Sequence, residues 1–219
     1  MGLIVRLLGF IAIVSLLSAL LSVVRTDTQS QQHHWRDTAT EEISTGRYSN
    51  CDYGYYVDLP NEIVAHEAKP PSPNHGFIID LAEPDSSADA LSKKLARYIS
   101  VGNIYDAAEL PSLAAIVDDE LKSLERDKSG FHVLERAPTR LGGLNATLLR
   151  LRYTEGIETI SEVDIVSYRP RGPNKLGDVI YEFQLVTPED TYPQDRHVFD
   201  EILSGFHLTT LSVGACSNG

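Results

Sequence analysis

Residues 7–24 form an almost unbroken apolar run, interrupted only by Gly9, Ser15, Ser18 and Ser22. A segment apolar on every face has no polar side to turn to water, so it is not an ordinary surface helix. As a helix rising about 1.5 Å per residue it would span roughly 27 Å, close to the ~30 Å hydrocarbon core of a bilayer. It exceeds the about 7–15 residues of a signal-peptide core. Neither Ala19-Leu20-Leu21 nor Leu20-Leu21-Ser22 places small residues at both positions that cleavage requires. Residues 1–25 are therefore expected to be a retained transmembrane anchor, with a cleaved signal as the alternative. The rest of the chain is expected outside the cytoplasm. Arg6 and Arg25 flank the run on both sides, so charge does not orient it.

Beyond that segment the chain carries 17 basic and 31 acidic residues, a net charge of −14. So acidic a body repels phosphate backbones and anionic headgroups, which argues against a nucleic-acid partner. Residues 26–50 hold few aliphatics and no sustained period, and read as a polar, flexible tether. His33, His34 and Trp35 cluster there, but two adjacent histidines without a third ligand make no metal site.

Residues 51–210 have the length of one ordinary domain, followed by a tail over 211–219. Cys51 and Cys216, the chain's two cysteines, bracket that domain. Domain termini often lie close together, and an exported domain meets oxidising surroundings. A Cys51–Cys216 bridge would contribute about 5 kcal/mol in the chain-entropy picture. Two unrelated thiols are the alternative.

Strands are expected over 53–60, 62–68, 75–81 and 97–105, where aromatic, β-branched and alternating residues are bounded by proline or polar loops. Leu110, Leu113, Val117, Leu121 and Leu124 then recur at helical spacing, with Ile116 widening the stripe. Asp118, Asp119 and Glu120 are expected largely on the solvated side. Further strands are expected over 131–137, 144–153, 157–168 and 178–187. The last three have connections too short for crossovers, which predicts an antiparallel meander. Pro193 opens a second helix whose stripe is Val198, Phe199, Ile202, Leu203 and Phe206. The expected class is α+β: a mostly antiparallel sheet packed with two main amphipathic helices.

The order of YGYYVDLP, ELPSLAAIVDDELKSL, LGGLNATLLRLRYTEG and VIYEFQLVTPEDTYPQDRHVFDEILSGFHL resembles the PsbP-like fold. That fold is shared by the photosystem II extrinsic subunit, a Ran-binding protein and bacterial DcrB-like envelope proteins. The resemblance covers about residues 53–208 and rests on core and turn positions. It implies a domain that binds or assembles partners without catalysing a reaction, and it carries over no site residue.

No nucleophile elbow, zincin helix, phosphate loop, C-x-x-C pair or dinucleotide fingerprint is present, so no cofactor is expected. The best scattered set is His66, His75 and Asp80 on neighbouring strands. The two histidines would meet across a hairpin with a carboxylate beside them, as a metal site requires. Glu67, next to His66, should face the other way. His132, His197 and His207 read as boundary residues. Tyr53 and Tyr55 share one strand face and Tyr56 takes the other, with Tyr48 nearby.

The leading expectation is therefore a non-catalytic envelope domain with a protein partner, held to the membrane by residues 7–24. A metal-assisted hydrolase using His66, His75 and Asp80 is one alternative, and a small-molecule carrier with a cavity between sheet and helices is another.

Overall fold

Strand β10 (Val179–Pro188) shows how the chain is organised. Its residues alternate Val179, Tyr181, Phe183 and Leu185 to one side and Ile180, Glu182, Gln184 and Val186 to the other. Both sides are covered, each by a different element. The computed structural model describes residues 41–68, 75–81, 97–105, 110, 112–170 and 178–209. Residues 1–25 and the tail over 211–219 lie outside them, so the expected anchor does too. Among the described residues no helix is long and apolar enough to cross a membrane.

The strands are β1 (Glu41–Thr45), β2 (Arg47–Asn50), β3 (Tyr55–Asp58), β4 (Val64–Ala68), β5 (Gly76–Asp80) and β6 (Tyr98–Tyr105). Helix α1 (Leu113–Asp127) follows, then β7 (Ser129–Leu141), β8 (Leu144–Glu155), β9 (Glu158–Arg169) and β10. Helix α2 (Tyr192–Ser204) and β11 (Phe206–Leu208) complete the order. Eight strands form one antiparallel sheet in the order β1-β4-β5-β6-β10-β9-β8-β7, and three form a second in the order β11-β3-β2. The expected meander is β8-β9-β10, with Glu155 opposite Glu158 and Pro188 opposite Ile160.

One face of the large sheet carries the main core. Val163, Ile165, Tyr181, Phe183 and Leu185 pack there with Tyr48, Tyr55 and Val57 of the small sheet and with Phe199 and Ile202 of α2. Burying each such side chain contributes roughly 1.5–3 kcal/mol. Aromatic rings knit the two sheets: Tyr55 lies 5.7 Å from Tyr181, edge-on, and 5.4 Å from Phe206. Its hydroxyl donates to Asn103 Oδ1 at 2.5 Å, which satisfies the polar end of a buried ring.

The opposite face takes α1. Ile116 and Val117 rest on Leu149, Leu151, Val166 and Ile180. Ser112 begins the helix by accepting from the Ala115 N–H at 3.2 Å, an ordinary N-cap. At the other end the Lys128 N–H closes on the Leu124 carbonyl at 2.8 Å. Pro111, expected in the first turn of this helix because its missing N–H suits that position, lies outside the described residues.

Two sequence expectations need correction. The tether does not reach residue 50. Residues 41–50 are strands β1 and β2, and Tyr48 is fully buried. Polar composition hid them: β1 pairs with β4, and β2 alternates polar residues with only two buried positions. Gly46, with φ of 73°, turns the chain from one sheet into the other. The second correction concerns Glu120, which lies on the sheet side of α1 and not on its solvated side.

Candidate functional site

The histidine pair expected across the β4–β5 hairpin does not form. His66 stands opposite Ile78, and Glu67 opposite Phe77. His75 precedes β5 by one residue and is three positions from Ile78, an odd offset that puts the two imidazoles on opposite faces. Asp80 shares the parity of Ile78, so it lies on the His66 side, two residues along. Among the described residues no three His, Cys, Asp or Glu side chains are grouped to hold a metal ion. His75 instead joins the two sheets. Its Nδ1 is 2.8 Å from the Tyr53 hydroxyl and 3.2 Å from the Asn103 carbonyl.

The tyrosines divide by strand parity. Tyr53 and Tyr55 are buried, while Tyr56 stays partly exposed and stacks on His207 with ring centroids 4.9 Å apart. The Tyr53 carbonyl accepts from the Tyr181 hydroxyl at 2.7 Å and from Arg169 Nη2 at 3.0 Å. These rings serve the inter-sheet core and offer little to an external ligand. Cys51 is disulfide-bonded. Cys216 lies outside the described residues.

Two other features carry chemistry. The first is the outer edge of the large sheet, β7. The ladder to β8 shifts register between Val133 and Glu135, leaving Leu134 without a partner across the ladder. Such a bulge twists the strand and re-aims side chains. Val133 and Leu134 are consequently 44% and 40% exposed. With Ile157 at the β8–β9 turn, they are the exposed large hydrophobics among the described residues. Arg136 beside them is held by Asp118 of α1 at 2.7 Å. Pro138 and the bulges blunt the edge against indiscriminate strand pairing.

The second is a layer of carboxyl groups beneath α1. On β9, Glu162 and Asp164 occupy the face that also bears Ile160 and Val166, and both are buried. Glu182 of β10 joins them from the next strand, and Glu120 reaches down from α1. Few donors meet them. Tyr153 donates its hydroxyl to Glu162 at 2.8 Å, and Gln184 donates Nε2 to the same carboxyl at 3.2 Å. Lys128 lies over the Tyr153 ring, 4.5 Å from its centroid, and its charge acts on Glu162. Both oxygens of Asp164 are buried and receive no hydrogen bond.

Burial is the main cause that raises all four carboxyls above their ordinary range. Neighbouring carboxylates push Asp164, Glu120 and Glu182 further, with Glu182 reaching about 7. Glu162 is pulled back by Tyr153 and Lys128. The same burial and the same acids raise the phenols of Tyr98 and Tyr153.

Sequence reading passed over this layer. Glu162, Asp164 and Glu182 sit in alternating strands, where a polar side is ordinarily a solvated side. The available signal was in α1. Glu120 follows Ile116 by four residues and Val117 by three, which puts it on the apolar stripe.

No family model matches the chain, and no curated protein sequence does. Solved structures do. LpqN of Mycobacterium tuberculosis, described as involved in cell envelope biogenesis, superposes with a TM-score of 0.51 at 13% identity, over 80% of this chain and 95% of that one. Cyanobacterial PsbP from Synechocystis gives a TM-score of 0.49 at 18% identity, over 78% of this chain and 95% of that one. The Ran-binding protein Mog1p of Saccharomyces cerevisiae gives 0.45 at 9%, over 78% and 96%. The architecture is thus α+β and PsbP-like, as the sequence resemblance implied. At these identities the likeness establishes the fold alone.

Proposed function

We propose that this chain is a non-catalytic domain that binds a protein partner in the cell envelope, held there by residues 7–24. The exposed pair Val133 and Leu134 on β7 carries this reading. A bulge presents two adjacent apolar side chains on an open sheet edge, flanked by an ion pair, as the apolar centre and polar rim of an interface require. LpqN shares the fold and is described as an envelope biogenesis protein, which supports the setting by analogy. The hydrolase alternative loses its support, since His66 and His75 face opposite ways.

The test places a photo-crosslinking residue at Leu134, and at exposed Asp200 on α2 as a control, in the full-length chain expressed in its own cell. A discrete adduct from position 134 and not from 200 is the expected result, lost when Val133 is changed to Glu. Absence of a position-specific adduct, or hydrolytic turnover by the purified chain, would overturn the proposal.

A further inference from the structure

The carboxyl layer under α1 does something that the surface reading of β7 does not require. Ile116 of α1 packs on Ile180 and Val166; Glu120 lies one turn past Ile116, Glu182 two residues past Ile180, and Glu162 and Asp164 share the β9 face of Val166, so four acids from three elements face the helix–sheet seam. The other groups facing them are Tyr98 from β6, Tyr153 and Glu155 from β8, and Lys128 after α1. From β7, Arg136 reaches α1 but is already paired with Asp118. One lysine cannot neutralise four acids, and a carboxylate fully buried without a donor, as Asp164 would be, is too costly to persist.

Asp164 sharpens the point. It is 0% exposed, and neither of its oxygens has a donor. Its contact with Glu162, like that of Glu120 with Glu182, becomes a hydrogen bond only when one carboxyl of the pair carries a proton. With protons in place, each pair is satisfied and α1 lies closed on the sheet. Without them, like charges face each other across the helix–sheet seam at Glu120 and Glu182.

We propose that α1 is a proton-operated latch: a proton shared across the seam by Glu120 and Glu182 holds it on the sheet, above the Glu162–Asp164 pair of β9, and its loss releases it. Release bares Leu149, Leu151, Val166 and Ile180, the apolar strip that Ile116 and Val117 now cover. The ligand is the proton itself, and the device turns a change of pH into a change of exposed apolar surface.

Hydrogen exchange of the full-length chain, corrected for the intrinsic pH dependence of exchange, tests this. Amides of α1 should lose protection as pH rises from 5.5 to 8.5, by up to about tenfold per pH unit for each linked proton, while amides of α2 hold theirs. The neutral variant E120Q should flatten the profile, and D164N with E182Q should keep α1 protected at pH 8.5. Pulling Glu120 from the seam leaves the sheet residues in place, so E120Q alone decides the matter if the double variant does not fold. Protection of α1 that ignores pH, falls in step with α2, or varies equally in E120Q would overturn the latch.

Discussion

Arg97 and Asp195, far apart in sequence, meet in a two-pronged ion pair. Arg97 donates from Nε at 2.6 Å to one carboxylate oxygen and from Nη2 at 2.5 Å to the other. Asp195 lies in the first turn of α2, where the helix dipole also favours a negative charge. It is only 2% exposed and further accepts from the Thr187 hydroxyl at 2.5 Å. One residue thus ties the start of β6 and the end of β10 to α2. Asp195→Ala removes both prongs from Arg97 and the acceptor of the Thr187 hydroxyl, so a loss of about 3–5 kcal/mol is expected. Chemical denaturation measures it. Retention of stability within about 0.5 kcal/mol would show that the pair contributes nothing.

Stability should fall as pH rises from 5 to 8. Glu182 holds its proton to about 7 in the folded chain, against 4.5 for the ordinary value. Between those values the folded state binds more protons than the unfolded one. Its contribution is complete below the lower value and is lost through the upper. The thermal midpoint is expected to drop by a few degrees, at about 2–4 °C for each kcal/mol in a domain this size. Glu182→Gln should reduce that drop without abolishing it, since Glu120, Glu162 and Asp164 are raised as well. A midpoint that rises from pH 5 to 8 contradicts the assignment.

The disulfide at Cys51 is expected to involve Cys216, the chain's other cysteine. Non-reducing peptide mapping should recover the two cysteine peptides joined, from a monomeric band. Cys51→Ser should cost about 3–5 kcal/mol, since the closed loop would span almost the whole domain. A dimer linked Cys51 to Cys51 would refute the pairing.

Gly205 and Gly102 should respond differently to alanine. At Gly205 an added Cβ would lie 2.1 Å from the Asp58 carbonyl oxygen, although its φ of −79° suits any residue. Helix α2 reaches β3 through that close approach, with the Asp58 N–H donating to the Gly205 carbonyl at 2.9 Å. Gly205→Ala is expected to lose about 1–3 kcal/mol by forcing the two apart. At Gly102 a Cβ meets nothing within 4 Å, and Gly102→Ala should be neutral within about 0.5 kcal/mol. Equal effects at both positions would mean that contact at Gly205 is not what limits it.

Much of the scaffold was legible because periodicity is local. The stripe of Leu113, Val117, Leu121 and Leu124 announced α1, and short connections announced the β8-β9-β10 meander. Residues 41–50 were missed because their composition is polar, and in β2 it hides the buried side on which Tyr48 and Asn50 sit. The set of His66, His75 and Asp80, kept as an alternative, could not be decided from the sequence for a different reason. Pairing register decides whether two strand residues share a face, and register depends on which residue stands opposite which.

The sequence by itself determined the strand and helix periods, the apolar faces and the acidic balance, since each follows from side-chain order along one segment. Only the tertiary structure decided that the acidic side of β9 and β10 is covered. Alternation shows that a strand has a polar side but not what will lie on it. That cover comes from α1, with Glu120 on its inner face, and burial there turns four ordinary acids into groups that compete for protons.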